Sequence, residues 1–174
     1  MAQALDTFLR GCRRLNRWVA RLCALLVGAM VLIVLFGVLA RYVLELGITW
    51  TEELARYVMI WAALLAISVG AANREHIGFE LLFSALPPRL QRPLRILLDL
   101  VGIGFFVFLA VFGVGMTVRG TEQYATIFGM SMALPFASVP VAAALTALQS
   151  LAVLLRDLYQ PDDALPGAPL EEAA

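Results

Sequence analysis

The stretch Ile48-Thr49-Trp50-Thr51-Glu52-Glu53-Leu54-Ala55-Arg56-Tyr57 sets an aromatic residue, two carboxylates and an arginine between two long apolar runs. Thr49 and Glu52 stand three apart, the spacing of a capping box, in which each side chain satisfies a free backbone N–H of the other. Glu52 and Arg56 stand four apart with the carboxylate first, the favourable order for an ion pair along a helix. A helix is therefore expected to begin between Thr49 and Thr51, to continue through the apolar residues 57–72, and to emerge at Asn73-Arg74-Glu75-His76. On one reading the carboxylates only cap and ion-pair a helix end at a membrane surface. Alternatively, the rim of Arg41, Trp50, Glu52, Glu53 and Arg56 also docks a partner.

Composition widens this reading to the whole chain. Of its 174 residues 61% are hydrophobic, and the mean hydropathy is +0.86. Apolar content that high requires a bilayer as solvent. All thirteen basic residues are arginine and thirteen acids balance them, so no net field points to nucleic acid. One histidine excludes bis-histidine haem ligation within the chain. Cys12 and Cys23 form neither a CxxC pair nor a zinc cluster, and no cofactor is expected.

The expected fold is an all-α integral membrane protein: four transmembrane helices, amphipathic interfacial helices, and both termini cytoplasmic. Residues 1–21 form an amphipathic N-terminal arm. Leu5, Phe8, Leu9, Cys12, Leu15 and Val19 recur at three- and four-residue steps, with Arg10, Arg13, Arg14, Arg17 and Arg21 opposite them. Such an arm is expected to lie on an anionic leaflet, apolar side down. Residues 22–40 carry no charge. At 1.5 Å per residue they span about 28 Å, enough to cross the hydrocarbon core, and they read as a retained span rather than a cleaved signal. A transmembrane domain over 22–156 is expected, with spans at about 22–46, 50–73, 93–118 and 134–156. An interfacial helix over about 76–87 carries His76 and Glu80, and residues 157–174 form a disordered acidic tail. Ala62, Ala66 and Gly70 make a small-xxx-small stripe that admits either an internal neighbour or a second subunit.

Orientation follows from arginine counts. With the N-terminus inside, ten arginines are cytoplasmic (Arg10, Arg13, Arg14, Arg17, Arg21, Arg74, Arg89, Arg92, Arg95, Arg156) and three, Arg41, Arg56 and Arg119, are outside. That asymmetry obeys the positive-inside rule. The rim and the loop over 119–132 then face outward. Charge at the bilayer centre costs at least about 2.5–3.5 kcal/mol and persists where function needs it, yet these spans are nearly bare. There is no GxSxG, no HExxH and no acid in mid-span. An enzyme or an autonomous carrier is not indicated. A scaffold that acts through its partners is, or a self-associating structural or channel-forming four-helix protein.

Arg41-Tyr42, the run Trp50-Thr51-Glu52-Glu53-Leu54-Ala55-Arg56-Tyr57, Trp61 and Arg74-Glu75-His76-Ile77 together resemble the small membrane subunit of TRAP transporters, the DctQ-like family. The resemblance covers about residues 15–156. Glu80 stands where that family more often has aspartate. The resemblance implies a multi-pass protein of the bacterial or archaeal inner membrane. It implies a large DctM-like membrane subunit and a periplasmic DctP-like solute-binding protein as partners, beside the lipid bilayer. It implies a scaffold role in sodium-driven uptake of a carboxylate-bearing solute such as a C4-dicarboxylate or sugar acid. Carried onto this chain, the rim Trp50, Glu52, Glu53 and Arg56 would set the hairpin and meet the binding protein. Ala62, Ala66 and Gly70 would serve the large subunit. His76, Glu80 and cationic residues such as Arg10, Arg14, Arg17 and Arg74 would hold the cytoplasmic surface.

Overall fold

The computed structural model describes residues 2–73, 88–125, 127 and 129–159. Four helices make up nearly all of it: α1 (Ala2–Tyr42), α2 (Trp50–Asn73), α3 (Pro88–Gly120) and α4 (Ala133–Tyr159). Each is long and apolar enough to cross a membrane. Among the described residues the only extended pairing is an isolated bridge between Tyr124 and Ser131. The expected interfacial helix over 76–87, with Arg74, His76 and Glu80, lies outside the described residues, as does the tail from 160 onward.

Four boundaries differ from those expected, one of them the end of the first span, which falls at Tyr42 rather than near 46. The arm over 1–21 is not separate: α1 is one helix of 41 residues, about 60 Å long. The change from arginine-rich to uncharged sequence at residue 22 alters the preferred solvent but breaks no backbone hydrogen bond. α3 begins at Pro88, five residues before the expected span, because a proline in a first turn gives up only an N–H that has no partner there. Asp157, Leu158 and Tyr159 prolong α4 rather than opening a tail.

The helices stand in a row. α2 and α4 are central, α1 packs on α2, and α3 packs on α4. Burial follows this order. Half of the most apolar eighteen-residue window of α4 is buried and a third of that of α2, against 6% for α3 and none for α1. α1 reaches α4 through its N-terminal half, where Leu9 and Cys12 close on Ala152. The arm thus turns its apolar face to a protein helix rather than to lipid. Further along, Val19, Leu65 and Ala142 bring α1, α2 and α4 together. The outer aromatic side chains of α3, including Phe105, Phe108 and Phe112, are left exposed, a patch that calls for lipid or protein cover.

Small residues set the close approaches. Gly37 of α1 lies under Thr51 of α2, which is 3% exposed. A Cβ at Gly37 would stand 2.8 Å from Thr51 Oγ1. Gly113 of α3 leaves room for the ring of Pro140 in α4, whereas Gly102, Gly104 and Gly115 have nothing within 4 Å. Gly37→Ala is therefore expected to lower the thermal midpoint in detergent. Overpacking costs about 1–3 kcal/mol, more than the roughly 1 kcal/mol that alanine gains over glycine in a helix. Adding Thr51→Ala removes the obstructing hydroxyl and should restore the midpoint in part, since the Cβ of residue 51, 3.2 Å away, remains. A double variant no more stable than Gly37→Ala would show that Thr51 is not the obstacle.

The end of the row away from the two loops holds a buried polar seam. Asn16, Gln149 and Arg156 are each at most 2% exposed. Asn16 Nδ2 donates to Asn73 Oδ1 at 3.4 Å, and Gln149 Nε2 donates to the carbonyl of Cys12, also at 3.4 Å. Arg156 donates through Nε and Nη2 to Asp157 Oδ1, each at 3.3 Å. The Asn16 and Gln149 bonds join α1 to α2 and to α4, where apolar packing alone would leave their register loose; the Arg156 pair lies within α4.

Candidate functional site at the loop end

Residues 43–49 turn α1 into α2, and Glu45 takes a left-handed conformation there (φ +51°). The turn closes with Val43 N–H donating to the Leu39 carbonyl and Leu46 N–H to the Ala40 carbonyl, both at 2.9 Å. It places the C-terminus of α1, with Arg41 in its last turn, beside the N-terminus of α2, with Glu52 and Glu53 in its first. Each charge complements its helix dipole. Arg41 Nη1 stands 3.3 Å from Glu52 Oε1, with both side chains about 70% exposed. Glu52 therefore pairs across the hairpin and not along the helix with Arg56. The tight turn brings Arg41, eleven residues earlier, within reach. So exposed a pair contributes at most about 1 kcal/mol. Trp50 rests against Phe36, ring centroids 6.1 Å apart.

Glu53 is placed differently. Its Oε1 accepts from the Tyr57 hydroxyl at 2.7 Å, and its Oε2 accepts from the backbone N–H of Ile127 at 3.2 Å. One carboxylate thus joins the first turn of α2 to the loop between α3 and α4. Tyr57 is 7% exposed, and its hydroxyl lies 3.5 Å from Met132 Sδ. The loop is shaped by its own backbone. Ala125 N–H donates to Met130, Gly129 N–H to Ala125 and Met132 N–H to Gln123, at 2.8, 3.0 and 2.9 Å. Gly129 has φ +61°, which glycine adopts at little cost. Ser131 Oγ donates to the Gly120 carbonyl at 3.1 Å and accepts from Ala133 N–H at 3.2 Å, tying the end of α3 to the start of α4.

Between these elements opens a cleft of about 520 Å³, lined among others by Glu53, Arg56, Tyr57, Met116, Tyr124 and Phe136. Arg56 is exposed on its wall. Tyr124 is 70% exposed. The arrangement offers a cation, a carboxylate already engaged and apolar walls. Among the described residues no group of three or more His, Cys, Asp or Glu side chains could hold a metal.

The structure brings Arg41, Trp50, Glu52, Glu53 and Arg56 to one end, as a rim. It divides the stripe. Ala62 is 6% exposed, and Cys23 Sγ approaches its carbonyl at 3.8 Å, so Ala62 serves the internal contact with α1. Gly70 is half-buried and Ala66 faces outward. Arg10, Arg14 and Arg17 lie exposed along α1. The sequence reading assigned no role to Tyr57, Ile127 or Met132. The Glu53–Tyr57 spacing of four was a legible signal for the first; the others depend on a loop that closes over 70 residues away in sequence.

Residues 30–160 match the family model described as tripartite ATP-independent periplasmic transporters, DctQ component. A putative TRAP transporter small permease protein of Haemophilus influenzae is 31% identical over 87 residues, covering 50% of this chain and 54% of that protein. The isethionate TRAP transporter permease protein DctMQ of Oleidesulfovibrio alaskensis is 38% identical over 77 residues, 41% of this chain and 12% of the relative. The C4-dicarboxylate TRAP transporter small permease protein DctQ of Vibrio cholerae is 32% identical over 71 residues, 41% of this chain and 31% of the relative. The chain spans about half the length of the first of these relatives and less of the other two.

Proposed function

The chain belongs to the family of DctQ components of tripartite ATP-independent periplasmic transporters, and from that premise we propose that it braces a large DctM-like transport subunit and offers its loop end to a periplasmic DctP-like solute-binding protein. A small permease component of this family is a multi-pass inner-membrane transporter part, not an enzyme. The observation that carries the bracing role is the bare outer surface of the row. α1 and α3 bury almost none of their most apolar windows within the chain, so both ends of the row have faces for lipid or for another membrane protein. The DctMQ relative supports the same reading, since the matched segment forms 12% of a much longer permease protein. Positive-inside asymmetry supports an outward rim. There the cleft and Arg56 would meet the binding protein. The relatives' names include isethionate and C4-dicarboxylate, which supports an organic anion as solute; sodium-driven uptake is the mode proposed with it.

The test is co-expression with the large permease encoded nearest to this chain, pull-down in detergent, and uptake in proteoliposomes with the binding protein under a sodium gradient. A stable pair, with uptake lost when this chain is omitted, is the expected result. Full uptake without this chain would overturn the reading. Self-association without capture of the large subunit would favour a stand-alone four-helix protein.

A further inference from the structure

One exposed row runs along α1. Arg14, Arg17, Arg21, Leu25, Leu32 and Leu35 follow at steps of three, four and seven, which keeps them on one side of the helix. All six are exposed, the three leucines by at least 59%. The other side of the helix is anchored through Leu9, Cys12, Asn16 and Val19, all buried. Among the described residues, Arg14, Arg17 and Arg21 form no ion pair with a carboxylate.

Packing fixes the depth of this row. Val19 packs with Leu65 of α2 and Ala142 of α4. Leu65 lies at the middle of the uncharged residues 57–72, and Ala142 lies two residues from the middle of the uncharged residues 133–155. Two helices thus place Val19 close to the bilayer midplane. Arg17 and Arg21 flank it by two residues, about 3 Å along the axis. The Arg21 guanidinium lies 5.5 Å from the Trp18 ring centroid. Reaching back that one turn moves the charge only about 4.5 Å, well short of the roughly 15 Å half-thickness of the hydrocarbon core. Charge at that depth is costly against lipid tails and is kept where it meets a polar or oppositely charged partner. Residues 22–40, expected to fill the core, instead rise from mid-depth to the rim, where Gly37 meets Thr51 beside the exposed Arg41–Glu52 pair. The row therefore sets arginines among lipid tails and its upper leucines beside water, the reverse of what a lipid-facing helix needs. The outer face of α3 shows no such mismatch. Phe105, Phe108 and Phe112 lie within the uncharged residues 100–118, and Gly113 stands level with Pro140 of α4.

We propose that this row of α1, and not α3, is the face that receives the large membrane subunit. A transmembrane helix of that subunit offers carboxylates to Arg17 and Arg21 and apolar side chains to Leu32 and Leu35. The proposal rests on the bracing reading above and names its face and chemistry. A second copy of this chain does not fit. Two copies meeting through α1 about an axis along the membrane normal would bring each arginine to its own like at equal depth.

Titration of the purified full chain against the large permease encoded nearest to it, in detergent, tests the face. Truncating one side of a desolvated charge pair leaves the other side unpaired. Arg17→Gln with Arg21→Gln is therefore expected to weaken binding at least about thirtyfold. Arg17→Lys with Arg21→Lys keeps the charge but loses the planar forks and should fall between. Phe108→Leu with Phe112→Leu on α3 should change binding less than about threefold. The arginines are exposed in the chain alone, so thermal midpoints without the large subunit should match the wild type. A photoreactive benzoylphenylalanine in place of Leu25 should cross-link to the large subunit, and one in place of Phe108 should not. Unchanged binding by the glutamine pair would overturn the proposal and leave the bracing reading standing. So would cross-linking from position 108 and not 25, or from position 25 to lipid or to another copy alone. Failure of the wild type to bind the large subunit would overturn both.

Discussion

Glu53→Ala is expected to release the loop between α3 and α4 and to lower stability by about 3 kcal/mol. The carboxylate accepts two hydrogen bonds, from the Tyr57 hydroxyl at 2.7 Å and from Ile127 N–H at 3.2 Å. Bonds to a charged acceptor contribute about 1.5–3 kcal/mol each, and partial exposure at the rim holds the sum to the lower end. Truncation also leaves the Tyr57 hydroxyl with only the Met132 sulfur beside it. Hydrogen exchange reads the effect at the site: the Ile127 amide should exchange roughly one to two orders of magnitude faster, with little change at the far end of α2. Glu52→Ala is the matched control. Its pair with Arg41 is about 70% exposed on both sides, so a loss below about 1 kcal/mol and an unchanged Ile127 amide are expected. Loosening of the loop by Glu52→Ala and not by Glu53→Ala would reverse the assignment. In the reconstituted transporter, the loop-end reading expects Glu53→Ala to reduce uptake more than Glu52→Ala does.

Gly120→Ala should be more damaging than alanine at Gly37 or Gly113, which also have close neighbours. A Cβ there would stand 2.6 Å from Phe136 Cδ2 and 3.1 Å from both the N and Cα of Ala133. The ring can turn aside, but the Ala133 backbone is the first residue of α4 and moves only if the helix start moves with it. Overpacking of this kind costs about 1–3 kcal/mol, and a backbone obstacle places it at the upper end. The Ser131 bond to the Gly120 carbonyl would be strained by the same shift. Thermal unfolding of Gly120→Ala and of Gly120→Ala with Phe136→Ala separates the two obstacles. Recovery in the double variant should be partial, because the Ala133 contact remains. Complete recovery would mean that the ring alone enforces the glycine.

The four helices were legible because length, hydropathy and missing charge leave few alternatives in a bilayer. Which face of each helix turns inward was not. In a soluble helix the polar side marks the outside, but here lipid and protein neighbours are both apolar. Ala62 and Ala66 are identical in sequence terms, yet one is buried and the other faces outward. Pairings failed or held by distance along the chain. The favourable spacing of Glu52 and Arg56 lost to Arg41 because the turn folds α1 back on α2. Glu53 with Tyr57 needed only one turn of helix, whereas Glu53 with Ile127 needed the whole arrangement of α2, α3 and α4. The continuity of α1 could have been read from the absence of proline between Ala2 and Tyr42. The charge boundary at residue 22 drew attention to a change of solvent where the backbone records no change at all.

A single rod of 41 residues also ties its amino-terminal turns mechanically to the inclination of the span. A span accommodates a thinner membrane by leaning. With no hinge between residues 21 and 22, the lean carries everything below it. The part of α1 before Leu22 extends about 30 Å, so each additional 10° of inclination sweeps its tip sideways by about 5 Å. Because Leu9 and Cys12 grip Ala152 of α4, that sweep drags the neighbouring helix with it. Any change in the inclination of the span is thus delivered to the amino end as a lateral displacement.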